Sequence, residues 1–154
     1  MTNADSTRLP EDPVRIIIPL EPRTKKNSQR LITTNNRYIP IPSKPYKEYE
    51  KASEMYLDPW KGLKISDPVN VQACYYMGKR RAVDLTNLNE AIHDILVKYG
   101  VLADDNCRIV VSTDGSRVLY DRENPRTEIL ITKAKGTFPD ATSKKEKRSN
   151  VSRL

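Results

Sequence analysis

Residues 69–100, VNVQACYYMGKRRAVDLTNLNEAIHDILVKYG, decide the fold. Val69, Val71, Ala73, Tyr75 and Met77 fall at every second position, the period of a strand with one buried face. Asp67-Pro68 opens that strand, and Gly78-Lys79-Arg80-Arg81 follows it as a basic turn. Asp84 comes next, and an aspartate there can accept the unpaired N–H groups of a first helical turn. From it Leu85, Leu88, Ala91, Ile92, Ile95, Leu96 and Tyr99 recur on one helical face, until Gly100 supplies the stop. The stretch therefore reads strand, basic turn, helix.

Further out the signals are shorter. Val14 to Leu20 is a β-rich apolar run and an early strand. Residues 22–30 hold Arg23, Lys25, Lys26 and Arg30 with no acid, and read as an exposed loop. Arg37 to Pro40 continues as an extended segment. Ser43, with Pro45 in the first turn, starts a helix to about Leu57. Tyr46, Tyr49 and Tyr56 have core spacing within it, and Trp60 reads as a core plug. Downstream, Cys107 to Thr113 is a strand, Asp114-Gly115 a turn, Val118 to Asp121 short and ambiguous, and Thr127 to Lys133 the last strand after Pro125. The expected fold is α+β: a single small domain with a mixed sheet of about four strands and two main helices on one face. Residues 1–12 form a flexible arm, 13–133 the domain, and 134–154 a basic tail whose lack of apolar period predicts disorder.

The 154 residues suffice for about one domain. With 37% hydrophobic residues, 31% charged residues and a mean hydropathy of −0.68, the chain is expected to be soluble and cytoplasmic. No run approaches the roughly 20 apolar residues of a membrane helix, and no secretory signal is expected. Five glycines are too few for a phosphate-cradling loop, so no nucleotide cofactor is expected. Cys74 and Cys107 lack metal-ligand spacing and read as reduced, buried thiols. Net charge is +7, but residues 133–154 hold seven bases and two acids, which leaves the body only +2. Bulk charge therefore cannot argue for nucleic acid; local clustering must.

Clustering occurs around the long helix. Lys79, Arg80 and Arg81 stand ahead of Asp84, and Asp104-Asp105 follows the helix end. Carboxylates beside cations are what metal-dependent phosphodiester hydrolysis requires. Their oxygens hold Mg²⁺, the ion polarises the phosphoryl oxygen and activates water, and the cations neutralise the backbone. Each piece also has a plainer reading. Asp84 can be only a cap, worth about 1 kcal/mol; Asp104-Asp105 can be a solvated turn, and the bases a solvated rim. Asn87 is a poor helix former inside a helix with no evident packing reason. His93, opposite the apolar face, reads as a surface histidine.

Order and spacing add to this. Asp84-Leu85-x-Asn87-Leu88, then Asp94-x-Leu96, Gly100 and Asp104-Asp105, resembles the RusA family of Holliday junction resolvases, a family common in prophages. Residues 24–30 look like its basic segment, residues 46–50 like the start of its first helix, and residues 125–132 like its last strand. The resemblance covers roughly residues 14–133. It implies a homodimeric, Mg²⁺-dependent endodeoxyribonuclease, with Mn²⁺ as a substitute, encoded by a bacterial host or phage. Such enzymes resolve four-way DNA junctions by paired symmetric nicks. It further implies catalytic roles for Asp84, Asp105 and Asn87, with Asp84, Asp105 and Asp104 as metal ligands. Lys25, Lys26, Arg30, Lys79, Arg80 and Arg81 are the implied DNA contacts. Two positions depart from the family pattern: Thr86 replaces a second aspartate, and Glu90 replaces a lysine. Thr86, Glu90 and Asp94 thus stand beside the ligands as candidate supports. The alternative is a non-catalytic branched-DNA binder that lost cleavage through Thr86 and Glu90; a third is a structural domain whose basic tail docks to a partner.

The helix length raises a further expectation. Leu85 to Tyr99 spans about 22 Å if straight, whereas residues 100–104 reach at most roughly 17 Å. One chain could bring Asp84 and Asp105 together only if the helix is shorter or the loop folds back along it; alternatively, two antiparallel helices in a two-fold dimer would place Asp84 of one subunit beside Asp105 of the other.

Overall fold

The computed structural model describes residues 8–25, 30–34, 37–41 and 43–139. The elements are β1 (Val14–Ile18), β2 (Arg30–Thr34), β3 (Arg37–Ile41), α1 (Lys44–Leu57), β4 (Val69–Met77), α2 (Leu85–Lys98), β5 (Val110–Ser112), β6 (Arg117–Tyr120) and β7 (Arg126–Lys133), with a 3₁₀ turn over Asp58–Trp60. Most of the expected arm and tail, residues 1–7 and 140–154, lies outside the described residues.

The main sheet runs β1-β7-β4-β5, and β6 also pairs with β4. β1 and β4 both lie antiparallel to β7, and β5 and β6 both lie parallel to β4. The last two share one edge of β4 in series, so five strands fill four positions. Parallel pairing needs a crossover, and α2 supplies it between β4 and β5. The register stacks the inward side chains in rows: Val14, Ile131 and Val71; Ile16, Ile129 and Ala73; Ile18, Thr127 and Tyr75. All nine are buried. Ala73 leaves room in the middle row, over which Leu88, Ile92 and Leu96 of α2 complete the core. This is the α+β fold with a mixed sheet expected from the sequence.

Both helices carry the expected caps. Ser43 Oγ accepts from Tyr46 N at 3.3 Å, and Pro45 lies in the first turn. Asp84 Oδ1 accepts from Thr86 N at 2.9 Å. At the far end of α2, Gly100 adopts φ +71, with Gly100 N bonded to Val97 O and Val101 N to Leu96 O. This paired closure satisfies the last carbonyls. Tyr46 and Tyr49 are buried, and Tyr56 and Trp60 are half-buried against the core, as their spacing indicates.

The extended segment expected over Arg37–Pro40 is strand β3, paired antiparallel with β2, which opens at Arg30, a residue expected in a loop. The expected turn at Asp114-Gly115 is present, and it bridges β5 and β6 along the same edge. Asn70 pins that bridge: its amide donates to Asp114 O at 3.1 Å, while its Oδ1 accepts from Ser112 Oγ and Asp114 N at 2.6 and 2.7 Å. The strand expected from Cys107 shrinks to Val110–Ser112 because residues 104–109 are held in side-chain turns. Neither cysteine is buried. Both are free, Cys107 exposed and Cys74 half-buried on the sheet face away from the helices.

Candidate active site

The β4–α2 connection is held from behind. Gly78 N donates to Glu21 Oε2 at 2.9 Å, and a Cβ at Gly78 would lie 2.6 Å from that oxygen and 2.7 Å from Pro125 Cγ. Only glycine lets the loop sit against both segments. Lys79, Arg80 and Arg81 are consequently displayed on the outside, all exposed. Asp84 follows, exposed, one oxygen committed to its cap. Bases and first aspartate thus share one end of the molecule, with Thr86 exposed in the first turn of α2.

Along α2 the asparagine that bonds to the sheet is not Asn87. Asn89 Oδ1 accepts from Tyr75 Oη at 2.7 Å, whereas Asn87 makes no side-chain hydrogen bond among the described residues. The sequence reading missed Asn89, although it sits four residues after Leu85 and three before Ile92, on the edge of the apolar face. Glu90 is exposed. Asp94 forms an ion pair with Lys25, whose Nζ also lies 5.6 Å from the Tyr46 ring centroid. Lys25 therefore reaches a phosphate only in competition with Asp94. Lys26 lies outside the described residues, and Arg30 is placed only as the first residue of β2.

His93 is not a surface residue. It is half-buried, and its Nε2 is buried with no partner among the described residues. Burial holds its pKa below the usual histidine value, opposed by the carboxylates of Asp105 and Asp94. Asp105 thus lies within electrostatic reach of the middle of α2: the 103–108 segment turns back along the helix. Within that segment Asn106 Nδ2 donates to Asp104 Oδ2 at 2.7 Å, and Asp105 N donates to Asp104 Oδ1 at 2.9 Å. These bonds hold the Asp104 carboxyl below its usual pKa, Asn106 contributing most. Asp105 is exposed beside it.

α2 has 14 residues, about 20 Å at 1.5 Å per residue. Asp84, with its three bases, caps the helix start, whereas Asp104 and Asp105 lie on the segment that follows the helix end and turns back toward His93. Among the described residues no three His, Cys, Asp or Glu side chains are placed to hold one metal ion. No helix among them is long and apolar enough to cross a membrane.

A one-sided mixed sheet with an aspartate-capped helix and exposed cations at one end is an α+β domain suited to a polyanionic partner. The family model for the endodeoxyribonuclease RusA matches residues 19–132, and the chain belongs to that family. At family level this makes it a nuclease directed at Holliday junctions. A search of curated proteins gives no match.

Proposed function

We propose that the chain is a homodimeric endodeoxyribonuclease that resolves four-way DNA junctions by paired nicks, each site combining Asp84 of one subunit with Asp105 of the other. The observation that carries this reading is the family match over residues 19–132, with Asp84 capping the start of α2 and Asp105 on the segment that follows its end. Antiparallel helices in a two-fold dimer bring such ends together twice, giving two equivalent sites for two symmetric cuts.

Carboxylate oxygens are the donors Mg²⁺ or Mn²⁺ takes. Among the described residues no three His, Cys, Asp or Glu side chains stand together; the proposed ligands are Asp84 of one subunit with Asp105 and its neighbour Asp104 of the other. The cation, when bound, polarises the scissile phosphoryl oxygen. The chain's own residues do the rest. Lys79, Arg80 and Arg81 neutralise and position the backbone, with Lys25, Lys26 and Arg30 extending the track. Asn87 orients a carboxylate or a water, and Thr86, Glu90 and Asp94 line the approach. The catalytic domain is residues 13–133; the arm and the basic tail flank it.

The test is a forced heterodimer of an Asp84→Asn chain with an Asp105→Asn chain, isolated through two tags. A shared site leaves one site intact and one doubly altered, so single nicks are expected. A site built within each chain leaves two damaged sites and no cutting. An inactive heterodimer, with both homodimers folded and binding junctions, would sink the shared site.

A further inference from the structure

We propose that Tyr120, with the Arg80 guanidinium against its ring, is a stacking platform for an unpaired nucleobase at the branch point of a DNA junction. The proposal rests on the function stated above and adds a residue that reads the branch. Tyr120 ends β6 and is 48% exposed, and its neighbour Leu119 is 38% exposed. Tyr46, Tyr49 and Tyr75, by contrast, are buried in the core. Tyr120 spends its ring outside. Arg80 Cζ lies 5.3 Å from the ring centroid. A cation over an exposed ring is held weakly enough to open for a base.

The surroundings suit a nucleotide. Tyr120 and Leu119 form one wall of a groove of about 710 Å³ whose opposite wall is Lys79, Arg80, Arg81 and Val83. Among the described residues three cations line it and no carboxylate does. Asp84 directly follows Val83, so a nucleotide in this groove has its phosphates over the bases and beside the helix start. The platform is also held still. Asp121 N donates to Met77 O at 2.9 Å, and Asp121 Oδ1 accepts from Glu123 N and Asn124 N, both at 3.1 Å. Arg126 bonds Asp121 Oδ2 at 2.9 Å and stacks on Tyr76 at 3.7 Å. These contacts tie the end of β6 to β4 and β7. An exposed ring in a cationic groove stacks any base that has left its pair, and a pair at a branch point, where the stack is interrupted, opens at lower cost than a pair within a linear duplex.

The experiment has two parts. Affinities of the wild type, Tyr120→Ala and Tyr120→Phe are measured for a four-way junction and for a linear duplex of the same sequence. Tyr120→Ala is expected to weaken junction binding by about 5- to 150-fold, the range of base–aromatic stacking. It should leave duplex binding unchanged, and Tyr120→Phe should keep wild-type affinity. In the second part 5-iodouracil is placed at the branch point, and light-induced adducts are mapped by peptide mass spectrometry; Tyr120 is the expected residue. Circular dichroism verifies that the variants are folded. Equal junction affinities for wild type and Tyr120→Ala, or adducts only elsewhere, overturn the platform alone. A wild-type chain that binds no branched DNA overturns the platform together with the function it rests on.

Discussion

The hydroxyl of Tyr75 donates to the amide oxygen of Asn89 across 2.7 Å, and this bond links α2 to β4 beside the buried apolar face of the helix. Tyr75 is fully buried, so its hydroxyl has no water to turn to. Removing the acceptor leaves a buried donor unpaired, at about 1–3 kcal/mol. Asn89→Leu should therefore lower unfolding stability by that amount, and adding Tyr75→Phe should recover part of it. Urea titration of the two single variants and the double variant gives the coupling directly.

Asp84 has two duties that one substitution can separate. An asparagine still caps a helix, so Asp84→Asn should retain stability and junction binding while losing cleavage. Asp84→Ala removes the cap as well, at about 1 kcal/mol. A strand-cleavage assay beside a thermal melt distinguishes the two variants. Normal cutting by Asp84→Asn would remove Asp84 from the catalytic set.

Thr86 stands exposed in the first turn of α2, where a negative charge is favoured by the helix dipole. Thr86→Asp should raise metal affinity and cleavage rate, read from activity against Mg²⁺ concentration. A fall in activity would place Thr86 in a differently arranged site and make Glu90 the next ligand to test.

The cations should not be equivalent. Arg81 is exposed on the loop, whereas Lys25 is paired with Asp94. Removing one cation from a DNA phosphate lowers the log–log salt slope of binding by about 0.9. Arg81→Ala should show that full change and Lys25→Ala a smaller one. Equal changes would mean that DNA displaces Asp94 from Lys25.

β4, α2 and their caps were legible because each rests on a local period: every second residue, or every third and fourth. Lys25 and Asp94 are 69 positions apart, and no local rule joins them. The half-burial of His93 had a readable sign, because it lies four residues after Asn89 on the same edge of α2. The pair β2–β3 was obscured by the shortness of its two runs and by Pro40 within the second, although Asn35-Asn36 between Thr34 and Arg37 is a turn signal. The serial placement of β5 and β6 depends on Asn70 reaching across the sheet, which a strand pattern does not encode. The candidate aspartates Asp84, Asp104 and Asp105 stand out in the sequence by their order around α2, whereas how Asp84 and Asp105 are shared between chains is set by packing that no local spacing encodes.

The order β1-β7-β4 has a consequence for synthesis. The first strand made can join the sheet only through the last one, because β7 lies between β1 and β4. A nascent chain that has not yet produced Arg126–Lys133 has nothing to pair with Val14, Ile16 and Ile18 in their native rows. Formation of the full sheet is therefore tied to synthesis of β7. A chain stopped before residue 126 can display the Lys79–Arg81 loop but lacks the sheet that holds it, so a truncated product should not compete with the full-length protein for DNA.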